Sequence, residues 1–194
     1  MKGGFGRLFS SMQFNNLDRQ KYISYLAIYT AFAITIFVVE TFIPKPFPFL
    51  KLGLANIVTL LLLSTNNIKE AVLIAYCKTI IGGFATGTLF SPTTVLSLSG
   101  TSLSLLIMIL LLKSKFNFSI LGLSIAGAVC HNFGQIAAVR FILIKENSIF
   151  YLTPLLIVTG IVTGIITGYI AFMVIKELEK IENEKILFEN KREI

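Results

Sequence analysis

The stretch PKPFPFLKLGLAN, residues 44–56, joins two apolar segments and contains three of the chain's five prolines. Proline has no N–H to donate, fixes its own φ angle and biases the residue before it toward extended geometry. These properties predict a stiff, non-helical turn rather than a flexible linker. The apolar run that follows, residues 52–64, is too short to cross a bilayer upright, since a crossing needs about 20 apolar residues. The stretch therefore predicts a chain that re-enters the membrane and then forms a short helix.

Two interpretations of this turn are open. In the first, Lys51 and Asn56 lie at the rim of a ligand site. In the second, the turn is an interfacial loop whose lysines, Lys45 and Lys51, contact lipid phosphates. Composition favours neither interpretation over the other.

The composition is that of an integral membrane protein. Of the 194 residues, 55% are hydrophobic and only 14% are charged, and the mean hydropathy is +0.81. A soluble domain has about 25% charged residues. With about 20 apolar residues in each span, the chain has room for about six membrane-spanning helices. We therefore predict an all-α integral membrane protein, built as a bundle of six transmembrane helices.

The apolar segments divide the chain into a membrane domain and two charged tails. We predict spans at residues 22–43, 52–64, 70–90, 94–112, 118–144 and 152–175. Residues 1–21 are then a basic cytoplasmic tail, residues 22–175 the membrane domain, and residues 176–194 a charged cytoplasmic helix or tail in which Glu and Lys alternate.

Positive charge is concentrated on one predicted side of the membrane. The net charge is +7, and twelve of the seventeen Lys and Arg residues fall in the tails or in the loops of one side. This is the positive-inside pattern. We predict a multi-pass protein of the cell membrane with both termini in the cytoplasm. The same distribution argues against nucleic acid as a partner.

Lys78 is a cation in the middle of the third predicted span. It lies about eight residues from either end, which at about 1.5 Å per residue places it about 12 Å deep. Ionisable side chains inside a membrane are costly and usually mark a function. We place Lys78 in a binding site; the alternative is a lysine bonded to helix-end carbonyl groups or to Glu40.

A second polar cluster lies in the fifth predicted span, in the run Cys130-His131-Asn132-Phe133-Gly134-Gln135. His131 and Gln135 are four residues apart and share a helix face, with Asn132 one step round. A lone histidine with no Cys, Asp or Glu beside it is poor evidence for a metal site. We therefore expect hydrogen bonding in a cavity or between helices, and no metal or other cofactor.

Several polar residues share one predicted depth, at the midplane or in the outer half of the membrane. They are Lys51, Asn56, Lys78, Ser97, His131, Asn132 and Gln135. We predict that they line an outward-facing pocket with more positive than negative groups. Such a pocket suits a small anionic or phosphate-bearing molecule.

Small residues predict close helix contacts in the first and last spans. Ala27 and Ala31 lie four residues apart, and Gly160, Gly164 and Gly168 repeat at the same interval. Small side chains at this spacing let a neighbouring helix approach closely.

Motifs that an enzyme of phosphate chemistry would need are missing. Asp18 is the only aspartate, and six of the nine glutamates lie in the C-terminal tail. The chain therefore cannot build the paired aspartate-rich clusters with which a prenyl synthase holds Mg²⁺ on diphosphate. No G-x-x-x-x-G-K-[ST] motif is present, which excludes ATP binding by that route. We expect a protein that is not an enzyme.

Four motifs, at residues 47–60, 90–92, 96–100 and 127–135, and the glycine-rich sixth span carry a resemblance to a known family. Together they resemble the Gx transporter family, which is also described as heptaprenyl diphosphate synthase component I. The resemblance covers about residues 22–175. Family members commonly have arginine where this chain has Lys78, so the charge is kept but the bidentate fork is lost.

This family in turn resembles the substrate-binding S components of energy-coupling factor (ECF) transporters. That resemblance implies six helices, an outward ligand pocket capped by the loop after the first helix, and an Ala-x-x-x-Ala motif, which Ala27 and Ala31 match. In such systems the small residues dock a separate coupling protein driven by ATPase subunits. The implied partners are a small-molecule substrate, the lipid bilayer, a coupling protein and ATPases.

Three functions stand as hypotheses. The first is an S-component-like subunit that captures a small molecule from outside. The second is a non-catalytic membrane component associated with heptaprenyl diphosphate synthase and quinone side-chain synthesis. The third is a structural membrane subunit without a ligand, which requires Lys78 and His131 to be paired to each other or to backbone, with no cavity between spans three and five.

Overall fold

The computed structural model of the protein describes residues 19–43, 53–116, 118–143 and 147–192. These ranges contain six α-helices and no β-strand, so the all-α prediction is confirmed. The helices are α1 (Arg19–Phe42), α2 (Asn56–Ser64), α3 (Ile68–Ala85), α4 (Pro92–Lys113), α5 (Ile120–Ala138) and α6 (Thr153–Arg192). A π-helical turn, Val139–Leu143, extends α5, and a 3₁₀ turn, Asn147–Leu152, leads into α6.

Four helical segments in the described ranges are long and apolar enough to cross a bilayer. They are Arg19–Phe42, Pro92–Lys113, Ile120–Ile142 and Phe150–Ile181, and they indicate a membrane-spanning protein. The other two helices differ: α2 has nine residues, which is about 14 Å long, and the 18 residues of α3 include Lys69, Glu70 and Lys78. Six complete spans and the side of each terminus stay predictions. Most of the predicted N-terminal tail, residues 1–18, lies outside the described residues.

The helices α2 and α3 form a hairpin across a tight turn. Asn66 adopts a left-handed conformation with φ of +58°, which asparagine tolerates better than most residues. The Asn67 side chain donates to the Thr65 hydroxyl over 2.8 Å, and the Asn67 amide donates to the Leu62 carbonyl oxygen over 2.9 Å. The predicted short helix after the proline-rich stretch is therefore present, although residues 44–52 themselves lie outside the described ranges.

The short helix α2 lies in the middle of the bundle. Six of its nine residues are buried, and Leu60 and Leu63 are among the most completely enclosed side chains. They belong to one apolar cluster with Ile74 and Ala75 of α3. Because α2 is buried around most of its circumference, its apolar residues are not confined to one stripe.

The helix α5 packs between α4 and α6 through glycine contacts. A Cβ atom added at Gly164 of α6 would lie 2.6 Å from the Ile125 Cα, and one added at Gly134 of α5 would lie 2.7 Å from the Ser99 carbonyl oxygen. Gly160 and Gly168 make similar contacts with α5, which confirms the predicted close-packing face of the last span. These contacts bring the polar residues of three helices near one another.

Candidate functional site

Lys78 is almost completely buried and holds the start of α2. Its side chain is on α3 and is only 3% exposed. The ammonium Nζ donates to the Ala55 carbonyl oxygen over 3.0 Å and also to the Asn56 Oδ1. A buried charge needs such partners because transfer out of water is otherwise strongly unfavourable. The alternative weighed from the sequence, a lysine bonded to helix-end carbonyls, is thus part of the observed geometry.

Glu40 is a second buried charge near Lys78, and the sequence-based site did not include it. It lies on α1, is 4% exposed, and its Oε1 accepts a hydrogen bond from the Gly53 amide over 2.7 Å. The signal was present in the sequence, because a single carboxylate inside an otherwise apolar span is itself unusual.

The segment Gly53–Asn56 is held between these two opposite charges. Gly53 has a φ of +75°, a conformation that favours glycine. The Gly53 carbonyl accepts from the Asn56 amide over 2.8 Å, and the Leu54 carbonyl accepts from the Ile57 amide over 3.0 Å. The segment is therefore a tight turn that runs directly into α2. Its peptide N–H faces a carboxylate at one end, and its carbonyl faces an ammonium at the other.

A small cavity, here called the charged chamber, lies beside this segment. Its polar walls come from α1, α3, α4 and α5: Glu40, Lys78, Thr79, Ser97, Thr101 and His131, together with Gly53 and Asn56. Among the described residues that line it, Glu40 and Lys78 carry the formal charges. The walls therefore combine one negative and one positive group with several hydroxyls.

A second cavity, here called the hydroxyl chamber, adjoins the first. It shares Gly53, Asn56 and His131 with the charged chamber and is otherwise lined mainly by α4, α5 and α6. Its additional polar residues are Ser104, Ser124, Asn132, Thr163 and Thr167. The Ser124 and Thr167 hydroxyls are 2.9 Å apart and hydrogen-bonded. Together the two chambers draw residues from all six helices.

The predicted site residues divide into three groups. Asn56, Lys78, Ser97, His131 and Asn132 line one or both chambers. Gln135 lines neither chamber; it is buried, and its Oε1 has no hydrogen-bond partner within the described ranges. Lys51 lies outside the described residues.

Two of the chamber residues also make structural hydrogen bonds. The Asn132 Nδ2 donates to the Leu156 carbonyl oxygen of α6 over 2.7 Å, a hydrogen bond between two helices. The Ser97 hydroxyl donates to the Thr93 carbonyl oxygen within its own helix over 2.7 Å.

Sequence reasoning missed most of the hydroxyl groups that line the chambers. Ser97, Thr101 and Ser104 are spaced four and three residues apart on α4, and Thr163 and Thr167 are four apart on α6, so helical spacing would have placed each set on one face. Other serines of α4 point elsewhere: the Ser99 hydroxyl donates to the Gly134 carbonyl oxygen over 3.0 Å, and the Ser102 hydroxyl lies 2.8 Å from that of Tyr76.

Each chamber has a volume of about 20 Å³. This is room for a single water molecule, whereas pockets for drug-sized molecules have about 300–1,000 Å³. A metabolite would therefore enter only if a wall moved. Gly53–Asn56 forms a wall of both chambers, so its displacement would join and widen them.

Ala27 and Ala31 lie on the outer face of α1. Both are exposed, as are Ser24 and Thr35 above and below them. The opposite face of α1 packs against α3, where the Phe37 ring lies directly over Gly82. Within the described part of the protein, no other helix therefore covers the face that contains Ala27 and Ala31.

No group of three or more His, Cys, Asp or Glu side chains in the described ranges is placed to hold a metal ion.

A comparison with protein families found that residues 29–174 match the family described as "Heptaprenyl diphosphate synthase component I". The match covers well over half of the chain. A comparison with curated proteins found no match, and neither did a comparison with solved structures.

Proposed function

This chain belongs to the heptaprenyl diphosphate synthase component I family, and from that premise we propose that it is a substrate-binding subunit of an ECF-like uptake system. It captures a small molecule that bears an acidic group, such as a carboxylate or phosphate, in an outward-facing site. Both termini lie in the cytoplasm in this proposal, and the protein resides in the cell membrane.

The observation that carries the proposal is the buried ammonium of Lys78 in a chamber that is lined by residues of α1 to α5. A fold that needed only mechanical stability would gain little from a cation there, because apolar packing of similar volume is as stable or more so. The charged chamber lies between α3 and α5, and both Lys78 and His131 line it. The bond of Lys78 to the Ala55 carbonyl oxygen agrees with a purely structural subunit, but that alternative also requires that no cavity be present there.

Ligand capture in this proposal exchanges one partner of Lys78 for another. The acidic group of the ligand replaces the Ala55 carbonyl oxygen, which now accepts from Nζ. A carboxylate or phosphate oxygen forms the stronger, charge-assisted hydrogen bond. The amide of Asn56 and the imidazole of His131, which line both chambers, then orient the ligand. Binding therefore moves the start of α2.

The proposed partner surface is the exposed face of α1 that contains Ala27 and Ala31. Small side chains let a transmembrane helix of a coupling protein approach closely. The sequence has no P-loop motif, so separate ATPase subunits would supply the energy for uptake.

Native mass spectrometry of the protein purified from its own membranes in mild detergent tests this function. We expect the wild-type protein to retain a small molecule of definite mass, and the Lys78→Met variant to lose it. A wild-type spectrum without any bound small molecule would contradict tight capture. An equally occupied Lys78→Met variant would contradict the assigned site.

A second candidate is a non-catalytic membrane component of a prenyl diphosphate synthase, which the family's description favours. The charged part of α6 supports such contacts, since Lys176, Glu177 and Lys180 are exposed near the C-terminal end of the apolar segment Phe150–Ile181. This candidate predicts that a soluble, aspartate-rich synthase co-purifies with the protein and that no solute is taken up.

A further inference from the structure

We propose that the captured molecule is a small zwitterion of the amino-acid type. Its ammonium group binds at Glu40 and its acidic group binds at Lys78. This inference rests on the proposed function of substrate capture and narrows its substrate class. It adds Glu40 to the binding residues and excludes ligands that carry only negative charge.

The first argument is the charge of the chamber. Glu40 and Lys78 are each less than one-twentieth exposed and line the same cavity. A ligand with only an acidic group would satisfy Lys78 but bring a second negative charge toward the buried carboxylate of Glu40. Charges that are buried without an opposite partner are strongly unfavourable. A ligand with one charge of each sign adds no net charge to the chamber.

The second argument concerns the groups to which Glu40 and Lys78 are hydrogen-bonded in the structure. Glu40 accepts a hydrogen bond from the Gly53 N–H over 2.7 Å, and Lys78 donates one to the Ala55 carbonyl oxygen over 3.0 Å. One short peptide segment therefore presents a donor to the carboxylate and an acceptor to the ammonium. A free amino acid presents the same pair of groups with full charges, and charge-assisted hydrogen bonds are about twice as strong as neutral ones. Such a ligand can displace the segment.

The third argument concerns the remainder of the ligand. The hydroxyl chamber adjoins the charged chamber and is lined by Ser104, Ser124, Thr163 and Thr167. Hydroxyl groups both donate and accept hydrogen bonds, so they match a hydroxyl, amide or carbonyl group. An isoprenoid chain offers no such group and could not exchange for the hydrogen bonds that these hydroxyls now make, such as the one between Ser124 and Thr167. The ligand is therefore a zwitterion with a polar side chain.

The test is a thermal-unfolding screen of the purified full-length protein in detergent, against matched sets of three compounds. Each set contains an amino acid, the corresponding acid without the amino group, and the corresponding amine without the carboxyl group. We expect stabilisation of the wild-type protein by at least one amino acid with a polar side chain. The two single-charge analogues in its set should give no comparable shift. Titration calorimetry then gives the affinity of the stabilising compound.

The Glu40→Gln variant isolates the charge, because its amide oxygen can still accept from the Gly53 N–H. We expect it to bind the zwitterion at least about tenfold more weakly, because the ammonium group of the ligand loses its hydrogen bond to a charged carboxylate. The Glu40→Asp variant keeps the charge and should keep the preference for the zwitterion. The control is Glu70→Gln, since Glu70 is also a buried carboxylate but lines neither chamber; its affinity should equal that of the wild type.

The outcomes separate this inference from the proposed function. Equal stabilisation by the acid without an amino group, with unchanged binding to Glu40→Gln, would overturn the zwitterion but leave capture through Lys78 standing. A wild-type protein that no compound in the screen stabilises would count against both.

Discussion

Glu40 of α1 and Lys78 of α3 bind opposite ends of the same short segment, the former through the Gly53 amide and the latter through the Ala55 carbonyl oxygen. Two charges that would be costly inside a membrane are thereby compensated by backbone groups at the start of α2. The position of α2 therefore depends on which groups are hydrogen-bonded to Glu40 and Lys78. Any molecule that competes for Glu40 or Lys78 also competes with the contacts that fix this helix.

The first prediction concerns Lys78→Met, which keeps the length of the side chain and removes its charge. The Ala55 carbonyl and the Asn56 side chain lose their donor, so we expect a loss of about 1–3 kcal/mol in the free energy of unfolding. Ligand binding should be abolished, and the protein should still be produced and inserted. Thermal unfolding in detergent and ligand titration measure the two effects.

The control for Lys78→Met is Lys113→Met, a lysine at the exposed end of α4. It should retain ligand binding and change stability by less than about 0.5 kcal/mol. Lys78→Arg keeps a buried cation and should retain part of the binding. Full binding by the Lys78→Met variant would show that the acidic group of the ligand lies elsewhere.

Apolar patterning predicted the helical class and the approximate position of each helix. It predicted α2 as a short helix because residues 52–64 are apolar but too few to span. It predicted a span at residues 118–144, and the helical segment runs over Ile120–Ile142, but it did not predict the π-helical turn that begins at Val139. Such a turn depends on local hydrogen bonding that periodicity does not report. The continuous run of α6 to Arg192 agrees with the charge alternation of the tail.

The candidate site was harder to predict, because depth in the membrane does not determine which way a side chain faces. Lys78, Asn56 and His131 share a predicted depth, and the structure places all three at one cavity. Gln135 has the predicted depth and lines neither chamber. Glu40 was weighed only as a partner for Lys78, since its contact with Gly53 depends on how the chain turns back, and no helical period encodes that turn.

The second prediction concerns the close contact between α5 and α6. In Gly164→Ala the new methyl group would lie 2.6 Å from the Ile125 Cα, a backbone atom that cannot yield by a change of rotamer. We expect the helices to separate locally and the free energy of unfolding to fall by about 1–3 kcal/mol. The unfolding temperature in detergent is the measurement.

Gly122→Ala is the matched control, because the atom nearest to its added Cβ is the Ser119 Oγ at 3.4 Å. Alanine is the better helix former, so this variant should be neutral or stabilised by up to about 1 kcal/mol. If Gly164→Ala were as stable as Gly122→Ala, the tight contact of α5 with α6 would be disproved.

The third prediction concerns the hydroxyl chamber. Ser124→Ala removes one partner of the 2.9 Å hydrogen bond to Thr167, while Thr167 keeps its bond to the Thr163 carbonyl oxygen at 2.8 Å. Interhelical hydrogen bonds in membranes average about 0.6 kcal/mol, so stability should change little. Affinity for a ligand with a polar side chain should fall more than affinity for one with a short apolar side chain. Equal losses for the two ligands, measured by titration, would place the ligand outside this chamber.

The last prediction separates ligand capture from coupling. Ala27 and Ala31 are exposed on the outer face of α1, so Ala27→Leu and Ala31→Leu should leave the unfolding temperature and ligand affinity of the purified protein unchanged. The larger side chains would keep a partner helix at a distance, and uptake by cells that produce the variant should fall by about tenfold or more, as a loss of about 1.4 kcal/mol in docking requires. The control is Ile28→Leu, a change of equal volume at an exposed neighbour on the same helix, which should transport normally. Undiminished uptake in both variants, Ala27→Leu and Ala31→Leu, would contradict the assignment of the partner surface to this face of α1.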